Sequence, residues 1–168
     1  FLACHSDQAL RLLADPSPEE REILGALPYQ HNEAVLHTDT GLLPRRTRAW
    51  AAWNYHVMPK AQGVALTYDM NILQGLKSRH TFCVTLNATE SIDPRRILRQ
   101  MSYSHPLFTP AGIAAQARHA EISGARRTHY CGAYWRYGFH EDGVVSALNA
   151  LERFDEATHE QRDLRRVA

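Results

Sequence analysis

The sequence predicts an α+β fold, an antiparallel or mixed sheet with flanking helices, on three observations. Between His31 and Leu86 apolar residues recur with period two, as in Val64, Leu66, Tyr68 and Met70 and again in Phe82, Val84 and Leu86. On both sides of that stretch the punctuation is helical: Ser17-Pro18-Glu19-Glu20 before it, Thr109-Pro110 and Asp142-Gly143 after it. The linkers between the extended runs are short, which suits antiparallel neighbours.

Taken in order, Phe1–Cys4 reads as the tail of a buried strand. Ser6 and Asp7 are good N-caps for a helix through Ala14, with Leu10 and Leu13 as its buried positions and Asp15-Pro16 as its stop. Ser17 caps a second helix that has proline in its first turn, acids at its positive end, and a finish near Gly25. Four extended segments follow, His31–Thr38, Thr47–Val57, Gly63–Met70 and His80–Leu86, and they read as a four-stranded meander. In the second, Ala49, Ala51, Trp53, Tyr55 and Val57 share one face, with Trp50 on the other. Gly41 and Pro44, then Pro59 and Gly63, mark the linkers, and Asn71–Gly75 adds a helical turn. Asp93-Pro94 caps a helix to about Tyr103, and Thr109-Pro110 caps another through Ile122, closed by Gly124. A last helix runs from Asp142 to about Phe154 with a stripe of Val144, Ala147, Leu148 and Leu151, and Asp155–Ala168 is a polar tail.

A formal charge of +1 on 168 residues gives no field that would steer the chain to nucleic acid or a membrane surface. Lys60 and Lys77 are the only lysines, so the positive charge is nearly all arginine. Cys4, Cys83 and Cys131 are odd in number and far apart, which is no disulfide framework and fits a cytoplasmic setting. No run approaches the ~20 apolar residues of a membrane span. The start Phe1-Leu2-Ala3-Cys4-His5 looks like a strand cut in its middle, so the chain is expected to be a fragment of a longer protein.

The segment richest in chemistry is His129-Tyr130-Cys131-Gly132-Ala133-Tyr134-Trp135-Arg136-Tyr137-Gly138-Phe139-His140-Glu141-Asp142-Gly143-Val144-Val145. It reads as a strand, a glycine- and aromatic-rich loop, then a helix. Such a loop brings bare backbone N–H groups against a flat or anionic ligand, and the helix behind points its positive end at the same place. His129, Cys131, His140 and Glu141 fit no standard zinc spacing, so no metal site is assigned. Cys4-His5 is read as structural rather than as a nucleophile pair.

With Cys4-His5-Ser6-Asp7-Gln8-Ala9-Leu10, Leu36-His37-Thr38-Asp39, Asn71-Ile72-Leu73-Gln74-Gly75-Leu76 and the closing Gly138-Phe139-His140-Glu141-Asp142-Gly143, the chain resembles the flavin-containing amine oxidase superfamily. More narrowly it is similar to bacterial amine-oxidase-like proteins described as NAD/FAD-binding. The resemblance covers essentially the whole chain. It implies FAD as cofactor and three segments: 1–15 as the end of a flavin-binding domain, 16–125 as a substrate domain, and 126–168 as the segment that closes over the flavin. The glycine fingerprint of the dinucleotide unit does not occur here, so that region is an expected partner, supplied by the same protein. The resemblance assigns cofactor contacts to Gly132, Phe139, His140, Glu141, Asp142, Gly143 and Val144. It also implies an apolar substrate pocket, for which Trp53, Tyr68, Trp135 and Phe139 are the candidates, with His56 and Asn54 weaker ones. Ala133 and Tyr134 stand where amine oxidases commonly carry a carboxylate. No residue is a candidate general base.

The function implied is FAD-dependent oxidation, with hydride transfer from an amine or apolar small-molecule substrate. Two alternatives remain: flavin-dependent desaturation or isomerisation of a lipid, and a non-catalytic module that binds an apolar ligand.

Overall fold

The computed structural model describes residues 1–57 and 64–167; the linker with Pro59 and Gly63 lies outside them. The chain is α+β. Its elements begin with α1 (Ser6–Leu12), α2 (Pro18–Gly25), β1 (Tyr29–His37), β2 (Trp53–Val57) and β3 (Val64–Asp69). They continue with α3 (Met70–Gln74), β4 (Cys83–Leu86) and β5 (Ile97–Pro106). The last are α4 (Pro110–Ala117), α5 (His119–Ile122) and α6 (His140–Val167). Two compact units result: residues 1–30 with 106–168, and residues 31–105.

The first unit is helical around a core of Ala9, Ile23, Leu24, Leu27, Ala115, Ile122, Tyr130, Tyr134 and Trp135. At α2 the cap is as the sequence predicts: Ser17 Oγ accepts from the Glu20 N–H at 3.1 Å, and Glu20 Oε2 accepts from the Ser17 N–H at 2.7 Å. At α1 it is not. His5 is the cap and Ser6 is buried inside the helix, because the Ser6 N–H donates to Tyr29 Oη at 2.9 Å and turns that residue inward. Ser6 and Ala9 are therefore the buried positions, and Leu10 and Leu13 are only half-buried. The Phe1–Cys4 strand reduces to one parallel bridge between Leu2 and Tyr130, made by Leu2 N–H to His129 O at 2.8 Å and Cys131 N–H to Leu2 O at 3.0 Å.

The helix expected over 109–122 breaks at Arg118, whose side chain is bonded to Glu22 and Glu121. The last helix starts two residues before Asp142 and continues well past Phe154. Its apolar stripe is not the buried face: Val144, Leu148 and Leu151 are exposed, while Asp142, Ser146 and Ala150 are buried. Polar bonds choose that face, with Ser146 Oγ accepting from the Gly132 N–H and Asp142 accepting from the Phe139 N–H.

The second unit holds the sheet, in the order β2-β3-β4-β1-β5. It has five antiparallel strands, not the four of the expected meander, and β1 sits between β4 and β5 rather than beside β2. The helix expected from Asp93 to Tyr103 is instead one 3₁₀ turn, Pro94–Arg96, leading straight into β5. Asp93 does cap that turn, but its carboxylate is also spent on the Arg95 side chain, and the chain then pairs with β1. The expected strand Thr47–Val57 pairs only from Trp53. Trp50 lies before the ladder with its indole N–H on Pro44 O, and the Asn54 side chain takes both the N–H and the carbonyl of Ala51. The turn at 71–75 forms as α3, capped by Asp69 and ended by Gly75 in the left-handed region at φ 64°.

The sheet alternates, but with its polarity inverted. Asn54, Thr67, Asp69, Thr85 and His37 are buried, with Cys83 and Val35 on the same face. The opposite face carries Trp53, Tyr55 and Val57, all exposed, with Leu66, Tyr68, Val84 and Leu36 half-buried. The polar face is tolerated because its fully buried polar side chains are hydrogen-bonded. His37 Nδ1 accepts from the Asp39 N–H at 3.1 Å, so Nε2 carries the proton and donates to Thr85 Oγ1 at 2.7 Å. Thr85 in turn meets Thr67 Oγ1 at 2.9 Å. Burial pushes the Cys83 thiol up to about 12, with Asp69 and Asp39 adding to it, so it stays protonated.

Burial lowers the His37 pKa below its ordinary 6.5, against the opposing pull of Asp39. The unfolded chain therefore takes up a proton that the folded chain refuses as pH falls below 6.5. The stability from His37 is whole above that pH and drains away below it, and His119 and His129, lowered by burial as well, act with the same sign. Urea unfolding at about pH 7.5 and about pH 5.5 is expected to show a lower midpoint at the acid value. His37→Gln should narrow that difference; an unchanged difference would remove His37 from the account.

Candidate functional site

The glycine–aromatic loop grows out of the Leu2–Tyr130 bridge. Tyr130 is fully buried and its hydroxyl donates to Glu20 Oε1 at 2.6 Å. Glu20 also takes the Ser17 N–H and lies 3.3 Å from Arg126 Nη1, and Arg126 donates to Asp15 O and Oδ2 at 2.6 Å each. Burial works to raise the Glu20 pKa, but the Tyr130 and Ser17 hydrogen bonds and the Arg126 charge outweigh it, and the pKa is held below its ordinary value. Burial and the Glu20 carboxylate push the Tyr130 phenol up, so it remains a donor.

Beyond Tyr130 the chain turns through a 3₁₀ segment, Ala133–Trp135, and folds back with the Gly138 N–H on Ala133 O at 3.1 Å. The Gln116 amide holds the loop by donating to Tyr134 O at 2.7 Å and Arg136 O at 2.8 Å. Gly138, at φ 90°, occupies a region that L side chains avoid.

Gly132 is required by packing. A methyl group there would overlap the buried Tyr134 ring, with Cδ1 at 2.8 Å. Gly143 is the opposite case: a methyl would meet only Ala133, at 3.9 Å, which is ordinary contact, so nothing within the chain demands glycine there.

The remaining sequence candidates sort as follows. Asp142 is buried; its Oδ2 accepts from the Phe139 N–H at 3.0 Å and its Oδ1 lies 3.6 Å from Arg136 Nε. It is half of a capping box, the residue at the third helical position reaching back to the cap. The other half is missing, because the cap is Phe139 and has no acceptor. The first turn of a helix leaves its N–H groups without intrahelical partners, and those of His140, Glu141 and Asp142 find no other acceptor among the described hydrogen bonds. Phe139, 60% exposed, stands beside them, as do exposed His140, Glu141 and Val144.

Trp53 and Tyr68 meet on the outer face of the sheet, ring centroids 5.8 Å apart and edge-to-face. Trp135 and Phe139 belong to the other unit. Trp135 is packed against His119 at 4.2 Å and Tyr134 at 5.0 Å. The Asn54 amide is consumed by Ala51 and Thr67 backbone groups, which makes it structural. His56 is half-buried with Nε2 unpaired. Sequence reading missed the Glu20–Tyr130 bond. Ser-Pro-Glu-Glu signals a cap, but nothing local links it to a tyrosine 110 positions on.

Among the described residues, no group of three or more His, Cys, Asp or Glu side chains is placed to hold a metal ion, and no helix is long and apolar enough to cross a membrane. No family model matches the chain, and no curated protein matches it.

Three stability changes follow for chemical unfolding. Tyr130→Phe leaves a buried Glu20 oxygen unpaired and should cost about 1–3 kcal/mol. Gly132→Ala forces the Tyr134 ring to move and should cost about 1–3 kcal/mol. Gly143→Ala should raise stability by about 0.5–1 kcal/mol, since it removes a helical glycine without a clash. A neutral Gly132→Ala would show that the ring yields freely.

Proposed function

We propose that the chain works within a cytoplasmic FAD-dependent oxidoreductase of amine-oxidase-like type, contributing the loop and helix that close over the cofactor. A dinucleotide-binding region of the same protein is its partner and supplies the pyrophosphate and ribose contacts. The reaction is hydride transfer from a C–H bond of an amine or apolar small molecule. The observation that carries this reading is the first turn of α6, with its unclaimed N–H groups beside an exposed aromatic ring.

A bound flavin would supply the hydride acceptor, whose pyrimidine end favours negative charge. The N–H groups of His140, Glu141 and Asp142 stabilise that charge without reorganising, because Asp142 already fixes the turn through Phe139. Phe139 excludes water from the ring face. Gly143 and Val144 follow in the same helix, and Gly143 permits close backbone approach. Gly132 acts at one remove, by letting Tyr134 pack under the loop. Within the second unit, Trp53 and Tyr68 offer an apolar face.

The second reading, desaturation or isomerisation of a lipid, is favoured by one observation. The outer face of β2 and β3, with Trp53, Tyr55, Val57, Leu66 and Tyr68, carries no charged side chain to anchor an amine.

The test is the visible spectrum of the protein purified from its complete coding sequence. A flavin spectrum bleached on reduction is expected, and Gly143→Leu should lose it while keeping the circular dichroism of the parent. Oxygen uptake with peroxide release on turnover selects oxidation over isomerisation. A colourless protein that takes up no added FAD overturns the reading and leaves a module for apolar ligands.

A further inference from the structure

Two neighbouring clefts of the first unit have three lining residues in common, and the smaller lies against the side of α6 opposite Val144, Leu148 and Leu151. The larger, about 330 Å³, is walled by Phe108, Ile113, Trp135 and Tyr137, with Gln116 and Arg136. The smaller, about 100 Å³, shares Gln116, Trp135 and Arg136 with it and adds His119, Ser146, Asn149 and Arg153. One chamber is aromatic and aliphatic and the other is polar and basic, and they share a wall.

The apolar chamber is unfilled by the protein itself. Phe108 is 47% exposed, Ile113 55% and Tyr137 72%. Large apolar side chains gathered and left open mark a binding surface. Its volume is at the small end of the ~300–1,000 Å³ usual for ligand pockets, which fits a small molecule rather than a peptide.

The polar chamber has donors to spare. Arg153 makes no ion pair among the described residues, and Arg136 has the 3.6 Å approach of buried Asp142 and lies over the Tyr137 ring at 5.9 Å. The Asn149 amide makes no hydrogen bond there either. Ser146 Oγ accepts from the Gly132 N–H, so its own O–H remains free to donate. Gln116 is already spent on two carbonyls, and His119 is committed to Tyr130 O at 2.7 Å. Two guanidinium groups against one carboxylate leave a single positive charge, which a monoanion matches and a dianion exceeds. Forked N–H groups match the two oxygens of a carboxylate.

We propose that the joined clefts bind a small carboxylic acid with an apolar body, its carboxylate on Arg136 and Arg153 and its tail against Phe108, Ile113 and Tyr137. The site lies on the far side of α6 from Val144 and does not depend on the flavin reading.

Calorimetric titration tests it with octanoate, octan-1-ol, acetate and inorganic phosphate as probes. Octanoate should bind, with octanol, acetate and phosphate each weaker by about tenfold or more. Arg153→Gln, at an exposed position, should keep the parent's melting temperature and weaken octanoate by about tenfold. Ile113→Gln should weaken octanoate and leave acetate unchanged. Octanol binding as tightly as octanoate would overturn the charge half, and phosphate or acetate binding as tightly would overturn the apolar half. No octanoate binding, or parental affinity in Arg153→Gln, would overturn the site.

Discussion

The first unit depends on one buried carboxylate. Glu20 is 2% exposed, and its two oxygens receive a phenol, a backbone N–H and a guanidinium. Those donors come from the start of α2, from the strand segment at Tyr130 and from the nearby loop at Arg126, the last two more than a hundred positions of chain beyond the first. A charge taken from water is costly unless every lone pair finds a donor, so the carboxylate enforces the meeting of those three segments. The parallel bridge at Leu2, the loop after Tyr130 and the start of α6 inherit their places from it. The link is sensitive to acid. The Glu20 pKa is depressed in the fold, so its contribution is present above the unfolded value of 4.5 and lost as pH falls beneath it.

The second unit solves a different problem. A sheet normally buries its apolar side, and here the apolar side is the open one. Burying Asn54, Thr67, Thr85 and His37 is affordable only as a complete network, and removing one member strands the next. The aromatic side, with Trp53 and Tyr68 in edge-to-face contact, is left exposed.

Much of this was legible in the sequence, for physical reasons that can be named. Ser17-Pro18 works because a cap and its third-position acid are local, and Asp69 with Gly75 bounds a single turn in the same way. Period two located β3 and β4 because both strands keep strict alternation. β5 was illegible. It lacks period two, with most of its residues exposed, and a genuine cap at Asp93 precedes it. The stripe on α6 misled because hydrophobicity alone does not select a buried face: Ser146 and Asp142 have specific partners inward, while Val144, Leu148 and Leu151 do not. At the site, the sequence located the loop and helix, but not which glycine served packing. That distinction needs the Tyr134 ring in place.

The first bond of the His37–Thr85–Thr67 chain has a fixed sense. A histidine can usually place its proton on either ring nitrogen. Here the Asp39 N–H occupies Nδ1, so the imidazole donates to Thr85 Oγ1, while the Thr85–Thr67 hydroxyl pair beyond it can run either way. One backbone amide on β1's flank thereby chooses the tautomer of a buried imidazole and pins it as a donor to the neighbouring strand β4. The ring is held as a one-way link between strands, and the threonine pair after it keeps two proton arrangements.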